Sequence, residues 1–117
     1  MPYSVEETRD FTVYKVDNFF TFQDMDALTE QFDQLLEKDP AARVLLDFSA
    51  QTGYEEATIK AAFRRIDKGF PRSLKMAILY AGEGGIYKHV LAMLAAAMPE
   101  VAKFFSSRAE AEAWLKS

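Results

Sequence analysis

The spacing of hydrophobic residues changes several times along the chain, and each change marks a new element. Residues 10–16 alternate with period two, which predicts a half-buried strand, and Ser4–Glu7 is a weaker strand before it. Thr21 and Asp24 have the spacing of a capping box, and apolar residues then recur at helical spacing until Asp39. The first third of the chain therefore predicts an antiparallel hairpin followed by a helix.

The rest of the chain repeats a strand and then a helix. Strands are predicted at Val44–Phe48, Met76–Tyr80 and Val101–Phe105. The helix after the first of these has an apolar face made of Ile59, Ala62, Phe63, Ile66 and Phe70, and the helix after the second has one made of Ile86, Val90, Met93, Leu94 and Ala97. A last helix starts at Ser107. The order β-β-α-β-α-β-α-β-α predicts one α/β domain over residues 1–117, with a mixed five-stranded sheet and four helices.

Composition narrows the class of protein. Half of the 117 residues are hydrophobic and ten are phenylalanine, which is enough apolar material for one folded core. No cysteine occurs, so disulfides, thiolate nucleophiles and cysteine-bound metals are excluded. The first seven residues lack the features of a secretory signal, and the longest apolar run, residues 90–99, is about half the length of a membrane span. We expect a soluble, cytoplasmic protein.

Several segments of the chain resemble the STAS superfamily (sulfate transporter and anti-sigma-factor antagonist), and in particular its SpoIIAA-like branch. The resemblance extends from Phe11 to Lys116. It rests on the element order, the Leu-Leu-Asp-Phe strand at 45–48, the Lys75–Leu79 strand and the terminal helix with Ala113–Leu115. It implies a STAS-like fold and a regulatory role exerted through protein contact.

Anti-sigma-factor antagonists of this fold carry a phosphorylated serine at the start of the second helix. The corresponding positions here are Glu55, Glu56, Ala57 and Thr58, so the acceptor serine is missing. The two glutamates are either ordinary acidic residues of a helix N-terminus or an imitation of the phosphorylated state.

The sequence contains no readable catalytic or metal-binding constellation, and no cofactor is expected. His89 is the only histidine and lies off the apolar face of its helix. The Gly82–Gly85 segment lacks the residues that complete a nucleotide-binding loop, and Glu83 would repel an anion. A lone carboxylate such as Asp47 specifies no reaction. We therefore predict that the protein is not an enzyme.

A group of basic residues lies on and just after the second helix, opposite its apolar face. These residues are Lys60, Arg64, Arg65, Lys68 and Arg72. They form either a solvated helix face or a surface that docks on an acidic protein or on anionic lipid. Nucleic acid is not an expected partner, because the net charge is −4 and no aromatic residues interleave with the basic ones.

The third helix has a wider apolar arc than packing on a sheet requires. Tyr87, Leu91 and Met98 extend the arc, which is either buried deeply or forms a homodimer interface or an apolar ligand groove. Phe19, Phe20 and Phe22 lie between the second strand and the first helix, where they form a hydrophobic staple or a lid over a pocket.

Together these features predict a non-enzymatic binding domain. The first hypothesis is a regulator that acts by contact with an unidentified protein partner, as a homodimer. The alternative is a carrier or sensor of a lipid or another apolar small molecule.

Overall fold

The computed structural model describes residues 3–80 and 92–117. Its elements are β1 (Tyr3–Glu7), β2 (Thr12–Phe20), α1 (Phe22–Lys38), β3 (Arg43–Tyr54), α2 (Glu56–Lys68), β4 (Lys75–Leu79), α3 (helical over residues 92–97), β5 (Ala102–Phe105) and α4 (Arg108–Lys116). The predicted element order is confirmed.

The five strands form one mixed sheet in which neighbours in sequence are neighbours in space, in the order β1-β2-β3-β4-β5. β1 and β2 are antiparallel, as the predicted hairpin requires, and every later pair is parallel. Each parallel pair needs a crossover connection, which α1, α2 and α3 supply in turn. The chain is thus a single α/β domain with a five-stranded sheet and four helices.

β2 and β3 both extend further than the sequence pattern predicts. Their parallel pairing continues to Phe20 and Tyr54 across two irregularities of register, one of them next to Asn18. Asn18 has a φ of 56°, a left-handed conformation that asparagine tolerates better than most residues. Such irregularities break the alternation of side chains between the two faces, so the pattern hides the second half of β2.

The helix ends follow local capping rules. Thr21 and Asp24 form the predicted capping box of α1, in which each side chain accepts a hydrogen bond from the other residue's backbone N–H. Ser107 accepts a longer bond, 3.4 Å, from the Glu110 N–H at the start of α4. Gly69 ends α2 with a φ of 84°, which favours glycine.

Helices cover the two faces of the sheet unequally. One core lies between the sheet and α1 to α3 and includes Leu28, Phe32, Leu36, Val44, Met76, Ile78 and Leu94. The other core lies under α4 and includes Val13, Leu45, Ala77, Leu79, Phe105, Ala111 and Leu115. Three side chains assigned to apolar helix faces point outward instead, since Phe63, Met93 and Ala97 are exposed.

Two basic side chains hold the end of α4 on the sheet. Lys75 Nζ donates to the Trp114 carbonyl at 3.0 Å, and an Arg43 N–H donates to the Leu115 carbonyl. Both carbonyls lie in the last turn of α4, where the positive charges match the C-terminal end of the helix dipole. Within the described ranges, no helix combines the length and the apolar character needed to cross a bilayer.

Candidate ligand-binding cleft

An apolar cleft lies between α1, α2 and the face of the sheet that these helices cover. The space inside it is about 80 Å³. Its apolar lining consists of Tyr14, Met25, Leu28, Phe32, Leu46, Phe48, Ala62, Ile66, Phe70, Met76 and Leu94. Helical spacing aims Met25, Leu28 and Phe32 of α1 at the same space as Ala62 and Ile66 of α2. The cleft therefore follows from the facing stripes of two amphipathic helices.

Arg65 is the one charged residue among the described residues that line the cleft. Its side chain is 13% exposed, and its guanidinium lies 4.2 Å from the Phe70 ring centroid and 5.9 Å from that of Phe32. Nε and Nη2 lie 3.0 and 2.9 Å from Asp33 Oδ1, and Nη1 donates to the Gly69 carbonyl at 2.7 Å. A desolvated cation thus sits at the rim of an apolar space with every guanidinium nitrogen engaged.

A shallower groove continues outward from the cleft between α1 and α2. Met25, Thr29 and Arg65 line both spaces, so the groove adjoins the cleft at these three side chains. The other groove residues are Phe22, Asp26, Asp33, Ala61, Arg64 and Lys68. The apolar interior therefore opens toward a charged surface, an arrangement that suits a molecule with one apolar and one polar end.

Tyr14 places a phenol in the apolar lining. Its ring meets the Phe32 ring edge to face, with centroids 6.0 Å apart. Burial raises the pKa of Tyr14 above its ordinary value of 10.0, and the nearby charge of Glu7 raises it further. The hydroxyl consequently stays protonated at neutral pH and is a neutral hydrogen-bonding group.

The segment that corresponds to the phosphoacceptor motif, Glu55 to Thr58, connects the start of α2 to the start of α1. Glu55 N–H donates to the Phe20 carbonyl, and Glu55 Oε1 accepts from the Phe22 N–H at 2.7 Å. The carboxylate therefore stabilises the N-terminus of α1 and makes no cap on α2. Thr58 is fully buried and its hydroxyl donates to the Glu55 carbonyl at 2.6 Å, whereas Glu56 is exposed. A kinase has no access to the Thr58 hydroxyl in this fold.

Four of the five residues of the predicted basic face are exposed. Lys60, Arg64, Lys68 and Arg72 are exposed, as expected for a solvated or docking face. Arg65 departs from this group because it turns toward Asp33 and the cleft. The docking of the exposed residues on an acidic protein or on lipid stays a prediction.

The third helix is described only in its second half. Tyr87, Leu91 and His89 and the Gly82–Gly85 segment lie outside the described residues. Met98 is partly buried and packs against the larger core, and Leu94 is buried and lines the cleft. The homodimer interface predicted for this helix stays a prediction.

Phe19, Phe20 and Phe22 do not lie together between the second strand and the first helix, where we predicted them. Phe19 and Phe20 belong to β2, where Phe20 is fully buried and Phe19 is half exposed above Gly53. Phe22 opens α1 and lines the outer groove. None of them lines the enclosed cleft, so a lid made of all three is wrong.

Asp47 is buried on the opposite face of the sheet, away from the cleft. Its Oδ1 accepts bonds from the Ser49 N–H and hydroxyl at 2.9 and 2.5 Å, and Oδ2 lies 3.8 Å from Arg108 Nη1. These contacts satisfy the carboxylate at the base of α4, which is a structural arrangement. In the described part of the chain, no group of three or more potential metal ligands gathers.

Sequence reasoning missed the cleft because it depends on how α1 and α2 sit side by side. The sequence pattern identified both apolar stripes but did not indicate that they line the same space. One signal was available in Ala62, since a small residue in the middle of an apolar stripe leaves space beside it.

Comparisons with known proteins agree with this architecture. The SpoIIAA-like family model matches residues 11–116. Among solved structures, the chain is similar to an uncharacterised protein of the DUF3478 family with a SpoIIAA-like fold from Shewanella loihica PV-4. The TM-score is 0.70 and the identity 20%, over 97% of this chain and 91% of the other. A search of curated proteins gives no match.

The sheet order, the helices on both faces and the structural likeness define a domain with a SpoIIAA-like fold. Within that class, the chain belongs to the SpoIIAA-like family.

Proposed function

We propose that this domain binds the apolar part of a small molecule in the cleft between α1 and α2 and acts as its carrier or sensor. The supporting observation is an existing apolar space that opens on one side to a charged groove. The described lining contains no histidine, carboxylate or thiol to serve as a general base or nucleophile. A binding role therefore suits the cleft better than a catalytic one.

The size of the enclosed space limits what it accepts. An engineered apolar cavity of about 150 Å³ stays dry and binds benzene. The cleft, at about 80 Å³, is smaller and holds a short alkyl segment. The rest of a longer molecule lies in the outer groove, or α1 and α2 separate to admit it.

Filling the cleft is the direct test, with octanol as the apolar probe. Ala62 is buried in the lining, so Ala62→Leu places three more carbons in the space that the probe needs. Ala57→Leu is the matched control, because Ala57 is exposed on the same helix and lines no part of the cleft. We expect Ala62→Leu to weaken octanol binding at least tenfold in calorimetry while Ala57→Leu leaves it unchanged.

Thermal melting of both variants confirms that they are folded before the titration is interpreted. Octanol binding to a folded Ala62→Leu variant with wild-type affinity would show that the ligand sits elsewhere. No binding of octanol to the wild-type chain would also reject the proposal.

A regulatory role through protein contact is the second candidate. It is favoured by two aromatic side chains near the start of α1, Phe19 and Phe22, which are 51% and 42% exposed. Aromatic side chains are enriched at protein interfaces. For the homodimer form of this hypothesis, light scattering at high micromolar concentration should give a dimer mass that Phe22→Ser reduces. A wild-type monomer mass would reject it.

A further inference from the structure

Arg65, at the rim of the cleft, pairs with the Asp33 carboxylate, which another anion can replace. Arg65 Nε and Nη2 both approach the same oxygen of Asp33, at 3.0 and 2.9 Å. A full bidentate pair uses both carboxylate oxygens in two parallel bonds and is correspondingly stronger. The Asp33 side chain is 34% exposed, so water replaces the guanidinium readily when the carboxylate swings outward.

Arg65 itself is held in place independently of Asp33. Its Nη1 bond to the Gly69 carbonyl is 2.7 Å long, and its guanidinium stacks on Phe70 at 4.2 Å. Cation–π contacts gain strength where the cation is shielded from water, as it is here. The guanidinium therefore stays at the rim when its carboxylate partner changes.

We infer that Arg65 recognises the anionic end of the ligand, and that the ligand class is an amphipathic carboxylate. The inference rests on the proposed function, because the apolar end must occupy the cleft. The ligand carboxylate then replaces Asp33 on the guanidinium and forms the two parallel bonds that Asp33 does not make. Arginine suits this exchange because its fork matches a carboxylate in geometry and stays charged at all physiological pH values.

The charges around the outer groove favour an anion over a cation. Its lining contains three cations, Arg64, Arg65 and Lys68, against two carboxylates, Asp26 and Asp33. Once Asp33 leaves Arg65, one carboxylate from the ligand restores the pairing at the rim. A neutral amphiphile leaves both Arg65 and Asp33 in their original pair and gains only from apolar burial.

The test compares octanoate with octanol at neutral pH, below the concentration at which either forms aggregates. Both probes offer the same alkyl chain, so the ratio of their affinities isolates the contribution of the head group. We expect the wild-type chain to prefer octanoate by about tenfold, the ratio typical of one charge-assisted interaction. Arg65→Met should abolish the preference, while the control Arg72→Met, at an exposed position that lines neither the cleft nor the outer groove, retains it.

Asp33→Asn supplies a second measurement that leaves Arg65 intact. Removing the competing carboxylate should raise octanoate affinity severalfold and leave octanol affinity unchanged. If Arg65→Met is unfolded in a thermal melt, this variant alone decides the matter. An octanoate affinity that Asp33→Asn does not raise would overturn the inference.

Failure of the inference is distinguishable from failure of the proposed function. Octanol binding that Ala62→Leu abolishes, without any preference for octanoate, would reject the role of Arg65 and keep the cleft. Equal weakening of both probes by Arg65→Met would likewise assign Arg65 to packing alone. No binding of either probe would reject the cleft and this inference together.

Discussion

Two buried tyrosines make the stability of the domain sensitive to alkaline pH. Burial raises the pKa of Tyr14, with a smaller contribution from Glu7, and burial also raises that of Tyr80, with a smaller contribution from Tyr54. The folded state therefore keeps a proton that the unfolded state releases near pH 10. Their contribution to stability is complete below about pH 10 and is lost as the pH rises through the folded pKa.

We expect the free energy of unfolding to fall between about pH 10 and the folded pKa, by at most about 1.4 kcal/mol per pH unit for each such tyrosine. Tyr14→Phe should remove one of these contributions and flatten the curve. Urea denaturation over a series of alkaline pH values measures the slope. Identical slopes for the wild-type and Tyr14→Phe proteins would show that Tyr14 does not contribute.

Thr58, the last residue of the segment that corresponds to the phosphoacceptor motif, has a structural role. Thr58→Val keeps the shape and removes the bond to the Glu55 carbonyl, which still accepts from the Thr58 N–H. We expect a cost of about 1 kcal/mol in urea denaturation. Thr58→Glu buries a charge and should cost more than about 3 kcal/mol.

Ala57→Glu is the control for the charged variant, because Ala57 is exposed in the first turn of the same helix. A negative charge there faces the positive end of the helix dipole, so its stability should change little. Equal stability of Thr58→Glu and Ala57→Glu would contradict the burial of Thr58.

Individual helices differ in how firmly their N-termini are fixed. The α1 start has a reciprocal capping box plus the Glu55 carboxylate, whereas the α4 start has one bond of 3.4 Å. Thr21→Ala should therefore cost about 1 kcal/mol or more, and Ser107→Ala less than half of that. Equilibrium unfolding of the two variants compares the caps directly, and the reverse order of costs would contradict this assignment.

The positions of helices and strands were predictable from the sequence where a local signal, such as a capping pair or an apolar run, was enough to define them. The capping pair at Thr21 and Asp24 located the start of α1, and the Val44–Phe48 run located the core of β3. The second halves of β2 and β3 were missed because their residues pair across irregular register and include polar residues and Gly53. Their extended conformation depends on pairing with a distant strand, which a local pattern does not encode.

At the scale of the whole molecule, the order of the elements was predictable from the sequence, but the cleft between α1 and α2 was not. Alternation of strands and helices implied a largely parallel sheet, and the structure confirms it. The cleft was beyond prediction because the turn of Arg65 toward Asp33 depends on how α1 and α2 approach each other. Two charged residues 32 positions apart give no local signal of a contact.

The edge strand β1 carries two acidic residues. β1 pairs only with β2 among the described strands, and its exposed Glu6 and Glu7 lie on that open edge. Charged side chains at an edge discourage pairing with another chain. Glu6→Gln with Glu7→Gln should therefore lower the temperature at which heated samples begin to scatter light.

The control double variant is Glu30→Gln with Glu37→Gln, which makes the same change in net charge on exposed positions of α1. A lower scattering temperature in the edge variant alone would assign the effect to β1. The same change in both variants would assign it to net charge.

The same edge also restricts how two copies of the chain can meet. A pair joined through β1 would continue the sheet from one copy into the other, and an antiparallel register centred on Glu6 and Glu7 would place these side chains of both copies opposite each other. Like charges in that position repel one another across the new strand pair. A homodimer of this protein is therefore expected to use a helical surface, with its two sheets remaining separate.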